Sequence, residues 1–161
     1  KLYFVDAGTI RTETPDMPER LKRIFEGITR ITKFHGPTEA AVEQVFMAAN
    51  PDSALKLGQA RGAAVTALMM LDLQVAEYTA RQIKQSVVGH GAAEKEQVQM
   101  MVCRLLNLEV IPQADAADAL AAAICHAHAS NSMNKLLAAV GAGRGRASMS
   151  RGRGRWRLPA E

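Results

Sequence analysis

Runs of β-prone residues alternate with helix-patterned segments over the first 130 residues, and this alternation restricts the fold more than any other feature of the chain. β-Branched and aromatic residues mark four predicted strands, at 2–5, 9–12, 40–46 and 74–78. Apolar residues at helical spacing predict four helices, at 18–35, 51–71, 94–106 and 114–129. Strands that alternate with helices are typical of an α/β fold in which at least part of the sheet is parallel. The turn residues between the first two runs predict a hairpin, so we expect a mixed sheet flanked by helices.

Glycine and proline mark the predicted connections between these elements. Residues 13–18 contain two prolines and predict a linker that ends at a helix start. Residues 87–93 contain two glycines and predict a loop. Gly58 and Gly62 lie four residues apart in the 51–71 helix. That spacing predicts a close approach of this helix to the sheet or to a partner subunit.

Composition narrows the class of protein. With 161 residues, 48% hydrophobic and 22% charged, the chain is long enough for one globular domain and is not wholly disordered. Its apolar runs are shorter than a membrane-spanning helix needs, and its first residues lack the pattern of a secretory signal. Cys103 and Cys125 form no CxxC pair and predict no disulfide framework. We therefore expect a soluble, cytoplasmic protein in a reducing interior.

The basic charge of the chain is concentrated at its end. Residues 141–161 contain six arginines and one glutamate, whereas the net charge of the whole chain is only +4. The preceding residues are therefore close to neutral. An Arg/Gly-rich segment of this kind cannot bury a core and can contact phosphates. The sequence predicts a folded domain at 1–130 and a basic, flexible tail at 131–161, with a nucleic acid or simple solubilisation as the two explanations of the tail.

Three carboxylates are candidates for a catalytic site. Glu43 lies in an otherwise apolar strand, where a carboxylate is usually paired, bound to a metal or exposed at a strand end. Asp115 and Asp118 lie three residues apart and share one helix face. Acidic residues in a first helical turn also have an ordinary structural explanation, because they suit the helix dipole. Convergence of all three would favour Mg²⁺, which can activate water for phosphodiester cleavage.

Basic and aromatic side chains surround this candidate site in the sequence. Lys84 and Lys95 flank the predicted glycine loop, and Arg81 precedes it. Each could contact a phosphate, or be an ordinary surface charge. Phe46 follows Glu43 and could stack on an unpaired base, although a phenylalanine is more often part of a core.

The remaining titratable side chains give weaker evidence for a site. His126 and His128 are two residues apart and therefore face different directions on a helix, which makes them an unsuitable metal pair. We interpret both as residues of the helix end. His35 and His90 lie in predicted loops without matching partners, and Cys103 is interpreted as core.

Three long segments resemble the RuvC family of Holliday-junction resolvases. They are EQVFMAANPDSALKLGQARG at 43–62, AEYTARQIKQSVVGHGAAEKEQVQMMV at 76–102 and PQADAADALAAAICHAH at 112–128. The opening GTIRT at 8–12 also fits, so the resemblance covers nearly all of residues 1–130. It implies an RNase H-like fold and a homodimer that nicks opposing strands of a four-way DNA junction symmetrically. It also implies the RuvA and RuvB branch-migration proteins as partners.

The resemblance also implies roles for individual residues. Glu43, Asp115 and Asp118 match metal-binding catalytic carboxylates, with two Mg²⁺ ions, or Mn²⁺ in their place, expected at the site. Lys84 and Lys95 match lysines near the junction DNA and the scissile phosphate. Phe46 matches an aromatic residue that stacks on a base, and the 51–71 helix corresponds to the dimer-forming element. Arg81 is an expected DNA contact from its charge and its position before the glycine loop, not from the resemblance.

One departure from the family pattern gives rise to a second hypothesis. Family members begin with a central strand that carries a first catalytic aspartate, in a motif like DPGSRITG, and this chain has no such segment. Asp6 is not its equivalent, because VDAGTIRT corresponds to the end of the second strand. We therefore expect either a Mg²⁺-dependent resolvase or a catalytically impaired module that still binds junctions. A general nucleic-acid-binding protein acting through the tail is the third alternative.

Overall fold

The computed structural model describes residues 1–44 and 50–143, except for the side chains of 135 and 138–143. Its elements, in chain order, are α1 (Met17–His35), β1 (Glu39–Glu43), α2 (Pro51–Met69), β2 (Gln74–Tyr78), α3 (Ala80–Val88), α4 (Lys95–Leu106) and α5 (Ala114–Gly143). The chain divides into two compact units, Lys1–Ala129 and Ser130–Glu161. No helix within the described ranges is long and apolar enough to cross a membrane.

The predicted α/β class is confirmed. Strands β1 and β2 pair in parallel, with Glu39 opposite Gln74 and Glu43 opposite Tyr78. Helix α2 connects them, as a parallel pair requires.

The predicted hairpin at 2–5 and 9–12 is wrong. Residues 1–12 contain no strand, and the described sheet has two parallel strands and no mixed character. The physical reason is that two short strands are marginal by themselves, and no hydrogen-bond ladder joins this segment to β1 or β2. The segment is anchored through a side chain instead, since a Cβ on Gly27 of α1 would lie 2.8 Å from Cδ1 of Ile10.

Local signals explain where the helices begin and end. Asp16 caps the start of α1 by accepting a hydrogen bond from the backbone N–H of Glu19, at 3.0 Å. Gly36 ends α1 in the left-handed conformation, with φ of 58°. Asn50 caps α2 in the same way as Asp16 caps α1.

Helix α3 is absent from the sequence-based prediction, and it occupies part of the predicted 87–93 loop. Its start carries a capping box in which Thr79 and Gln82 satisfy each other's backbone N–H groups. Gly89 ends it with φ of 97°, and the loop proper follows. The predicted end of the last helix at 129 is also wrong, because α5 continues to Gly143.

The core lies between α3, α4 and α5 of the first unit. Small residues on the inner face of α5 let the other two helices approach closely. The buried residues of this core are Ile83, Val87, Ala93, Val98, Val102, Ala121, Ala122, Ile124 and Cys125. Cys103 is partly buried and Cys125 is buried, and both are free thiols.

Candidate active site

Four elements contribute side chains to one cavity of about 190 Å³ in the first unit. The charged groups that line it are Glu43 from β1, Lys84 from α3, Lys95 from α4 and Asp118 from α5. Its apolar lining is Ile83, Val98 and Ala121 from the core, together with the exposed Ala80. Residues widely separated in the sequence thus form one small hollow with charges of both signs.

The end of β1 positions Glu43. This residue is the last of the strand, and its register partner is Tyr78, the last residue of β2. The backbone N–H of Gln44 donates to the carbonyl oxygen of Tyr78 at 2.8 Å, which extends the pairing one residue beyond Glu43. Parallel strands therefore present the carboxylate at their carboxyl end, the edge where α/β sheets bind their ligands.

An ion pair joins α4 to α5 across the cavity. Lys95 Nζ lies 3.1 Å from Oδ2 of Asp118, and both side chains are about half exposed. The hydrogen bond to Asp118 and the charge of Asp118 raise the pKa of Lys95, with smaller contributions from Asp115 and Glu96. Lys95 is the first residue of α4, where the helix dipole disfavours a cation. Helix formation alone does not explain a lysine there, and the contact with Asp118 does.

Glu43 is a partly buried carboxylate that shares the cavity with a second carboxylate, Asp118. Partial burial in the cavity raises its pKa, the charge of Asp118 raises it further, and Lys84 and Lys95 oppose this effect. The direction of the shift shows that burial and a like charge outweigh two lysines. A raised carboxylate pKa in a cavity is a physical signature of a functional site.

The donor set suits a hard divalent cation, although it is smaller than the sequence predicts. Glu43 and Asp118 supply carboxylate oxygens, and Mg²⁺ is commonly held by one or two carboxylates together with phosphate oxygens and water. Asp115 is exposed in the first turn of α5 and does not line the cavity. Within residues 1–44 and 50–143, no group of three or more His, Cys, Asp or Glu side chains is placed to hold a metal ion.

One predicted DNA contact, Arg81, does not line the cavity. Arg81 is exposed and its side chain crosses the loop after α3, since a Cβ on Gly91 would lie 2.6 Å from Cγ of Arg81. Glycine is therefore needed at this position to leave room for the arginine. Phe46 lies outside the described residues.

Sequence reasoning missed a polar contact between the sheet and α5. His126 Nδ1 lies 2.8 Å from the hydroxyl of Tyr78, and its Nε2 lies 2.8 Å from Oε2 of Glu39. His128 Nδ1 lies 3.1 Å from Oγ of Ser86 on α3. The interpretation of both histidines as helix-end residues is wrong, because α5 continues well beyond them. The spacing of His126 from Asp118, two helical repeats of four residues, was the available signal.

The sequence matches a known family. A profile described as "Crossover junction endodeoxyribonuclease RuvC" matches residues 1–126. The proteins of that name from Acinetobacter baumannii and Acinetobacter baylyi are 85% and 80% identical to this chain over 136 residues. Each alignment covers 84% of this chain and 75% of the relative. The protein of that name from a Psychrobacter species is 72% identical over 141 residues.

Solved structures agree with the sequence comparison. The structure described as T. thermophilus RuvC in complex with Holliday junction substrate superposes with a TM-score of 0.73 and 34% identity, covering 78% of this chain and 77% of that one. A second Thermus thermophilus RuvC structure gives a TM-score of 0.67 and 35% identity, covering 73% of each chain. The RNase H-like fold expected from the sequence is therefore confirmed.

Proposed function

This chain belongs to the RuvC family of crossover junction endodeoxyribonucleases, hydrolases that cut DNA, and on that premise we propose that it resolves four-way junctions by paired, metal-dependent nicks. The observation that carries the proposal is the cavity lined by Glu43, Lys84, Lys95 and Asp118. It combines carboxylates for a cation with ammonium groups for a phosphate. A phosphodiesterase needs both at one place.

The two lysines bind and orient the phosphate in this proposal. Lys95 is held toward the cavity by Asp118, so its ammonium group is positioned before DNA arrives. Lys84 lines the same cavity from α3 and acts on Glu43 as a positive charge. Fixed cations that meet charge as it develops on a phosphate stabilise the transition state without reorganisation. Arg81, at the neighbouring loop, and Phe46 are proposed to contact DNA further from the scissile bond.

The carboxylates are proposed as the metal ligands. Glu43 and Asp118 would hold Mg²⁺, or Mn²⁺ in its place, and Asp115 would serve a second ion one turn earlier on α5. A bound ion would supply a water of lowered pKa and offset charge on the leaving oxygen. Burial and then the charge of Asp118 raise the pKa of Glu43, and the second cause supports this assignment, because a cation held by both carboxylates would relieve their repulsion.

Helix α2 is proposed as the homodimer interface. Leu55 and Leu57 are 64% and 52% exposed, and open space surrounds Gly58 and Gly62. The glycines therefore make no close contact with the described part of the chain, and we propose a partner subunit as the explanation of their spacing. A two-fold dimer would carry two identical sites and nick two strands symmetrically. RuvA and RuvB as partners, and the bacterial cytoplasm as the location, complete the proposal.

A cleavage assay tests the proposal. An end-labelled synthetic four-way junction is incubated with the protein and Mg²⁺, with a linear duplex of the same arm sequence as substrate control. We expect paired nicks at symmetric positions on the junction, none on the duplex, and none when EDTA replaces Mg²⁺. The Asp118→Asn variant should bind the junction and fail to nick it.

The second candidate function is a junction-binding module with impaired catalysis. It is favoured by one observation, that the described residues bring only two carboxylates to the cavity and contain no three-residue metal group. Selective binding of the four-way junction without nicks would support this candidate and contradict the first. Equal binding of junction and duplex with a steep salt dependence would contradict both, and would indicate general binding through the basic tail.

A further inference from the structure

The contact between β1 and α5 has two polar ends with matching spacing. Glu39 and Glu43 are four residues apart on β1, so they share one face of the strand and are separated by about 13 Å. Asp118 and His126 are eight residues apart on α5, a separation of about 12 Å along the same helix face. Because Glu39 contacts His126 while Glu43 and Asp118 line one cavity, the helix runs antiparallel to the strand.

We propose that the hydrogen-bonded group of Glu39, His126 and Tyr78 is a positioning clamp that fixes how far α5 slides along β1, and so sets the placement of Asp118 relative to Glu43. The proposal rests on the function proposed above. The buried residues of α5 between Asp118 and His126 are Ala121, Ala122, Ile124 and Cys125, and they belong to the core with α3 and α4. No residue of β1 is fully buried, so close packing does not fix the position of α5 along this strand. Directional hydrogen bonds at a fixed point supply the missing restraint.

The chemistry of the clamp selects one form of the imidazole. A carboxylate only accepts hydrogen bonds, so the contact with Glu39 places a proton on Nε2 of His126. In the neutral imidazole, Nδ1 then accepts from the hydroxyl of Tyr78. Burial, with the neighbouring Cys125 and Glu39, raises the pKa of Tyr78 and keeps this phenol protonated as the donor. Each ring nitrogen thus has a hydrogen-bond partner: Nε2 has Glu39 of β1, and Nδ1 has Tyr78 of β2.

The clamp also acts on the backbone beside the site. Tyr78 is the register partner of Glu43, and its carbonyl oxygen accepts from the N–H of Gln44. A hydrogen bond that holds the Tyr78 side chain therefore also restrains the strand end that carries Glu43. The contribution of the clamp to stability is small by comparison, since the Glu39 side chain is 51% exposed and its removal leaves no cavity.

The test uses Glu39→Ala, which removes one end of the clamp from an exposed position. We expect kcat for junction cleavage to fall about tenfold, because a misplaced catalytic group costs rate steeply, with the dissociation constant for the junction unchanged. Glu39→Gln keeps an acceptor for Nε2–H and should restore most of the rate. Tyr78→Phe keeps the packed ring, loses the other hydrogen bond and should resemble Glu39→Ala. Glu19→Ala, which breaks the exposed ion pair with Arg23 on α1, is the matched control and should leave kcat unchanged.

A second readout is independent of activity. In ¹⁵N spectra of the wild-type imidazoles, His126 should show a protonated Nε2 and an acceptor Nδ1, and the double variant Glu39→Ala with Tyr78→Phe, which removes both partners, should weaken that preference. The opposite form in the wild type, or an unchanged kcat in Glu39→Ala and Tyr78→Phe, would overturn the clamp. A loss of junction affinity equal to the loss of kcat would overturn it as well. If the wild-type protein does not cut junctions, the proposed function is wrong. The spectra would still test the hydrogen bonds of the clamp, because they do not depend on activity.

Discussion

A glutamate of β1 lies near a polar side chain of α5 at each end of the contact between these two elements, and the two ends have opposite electrostatic outcomes. At one end, Glu39 meets the imidazole of His126, which is satisfied on both nitrogens. At the other end, Glu43 faces Asp118, and its pKa is raised by burial and by that like charge. The first end is a completed hydrogen-bond network, and the second leaves a carboxylate without a bonded partner among the contacts that the structure describes.

This difference distinguishes an end of the contact that positions α5 from an end that serves the proposed chemistry. Folding favours polar groups that are paired, and each member of the Glu39 end has a partner. The Glu43 end keeps a charge at some cost to the free energy of unfolding, as sites that await a ligand commonly do. The paired end holds the unpaired end in place, and substitutions at the two ends should therefore act on different quantities.

Removal of a carboxylate from the unpaired end should have the largest effect. We expect Asp118→Asn to lower junction cleavage about a hundredfold or more, because it removes both a proposed metal ligand and the partner of Lys95. The measurement is single-turnover cleavage with Mg²⁺ at saturating protein. Asp115→Asn is the matched control on the same helix and should cost less, since Asp115 does not line the cavity. Equal losses in both variants would contradict the central place given to the cavity.

Neutralisation of the cation at the same end should have the next largest effect. We expect Lys95→Met to lower kcat about tenfold or more, since a positioned charge that meets the phosphate is lost. Junction affinity should fall less, with the slope of its salt dependence reduced by about one charge. Lys22→Met on the exposed surface of α1 is the control, and it should not change kcat. A purely structural role of Lys95 would instead appear as a lower melting temperature with an unchanged kcat.

The fold was predictable where local signals and tertiary packing agree. Alternating strands and helices gave the α/β class, and the stripes of α1, α2 and α4 gave their positions within a few residues. The hairpin at 1–12 was wrong because β-propensity acts only where a neighbouring strand offers hydrogen bonds. Helix α3 was not predicted because it is short, ends in a glycine loop, and is marked locally by the capping box of Thr79 and Gln82.

The sequence was sufficient to select the residues of the site, but it predicted only part of their arrangement in the fold. Family resemblance selected Glu43, Lys84, Lys95 and Asp118, and the cavity brings these four together. Which carboxylates share a cavity depends on how α5 lies on β1, and no local pattern contains that information. The histidine of the clamp was dismissed for the same reason: its partners are 48 and 87 residues away in the sequence.

The effect of neutralising Glu43 on the free energy of unfolding should be the smallest of these effects, and it tests the comparison most directly. Because the pKa of Glu43 is raised in the folded state, its ionisation opposes folding, and this penalty is absent below the ordinary glutamate pKa and fully present above the raised one. Glu43→Gln should therefore increase the free energy of unfolding at neutral pH, and the gain should disappear as the pH falls below the ordinary value. Solvent screening of this exposed side chain limits the gain to less than about 1 kcal/mol. Urea unfolding of both proteins at neutral and acidic pH measures it. Glu39→Gln, at the paired end, should show no gain at neutral pH, and an equal gain in both variants would remove the distinction between the two ends.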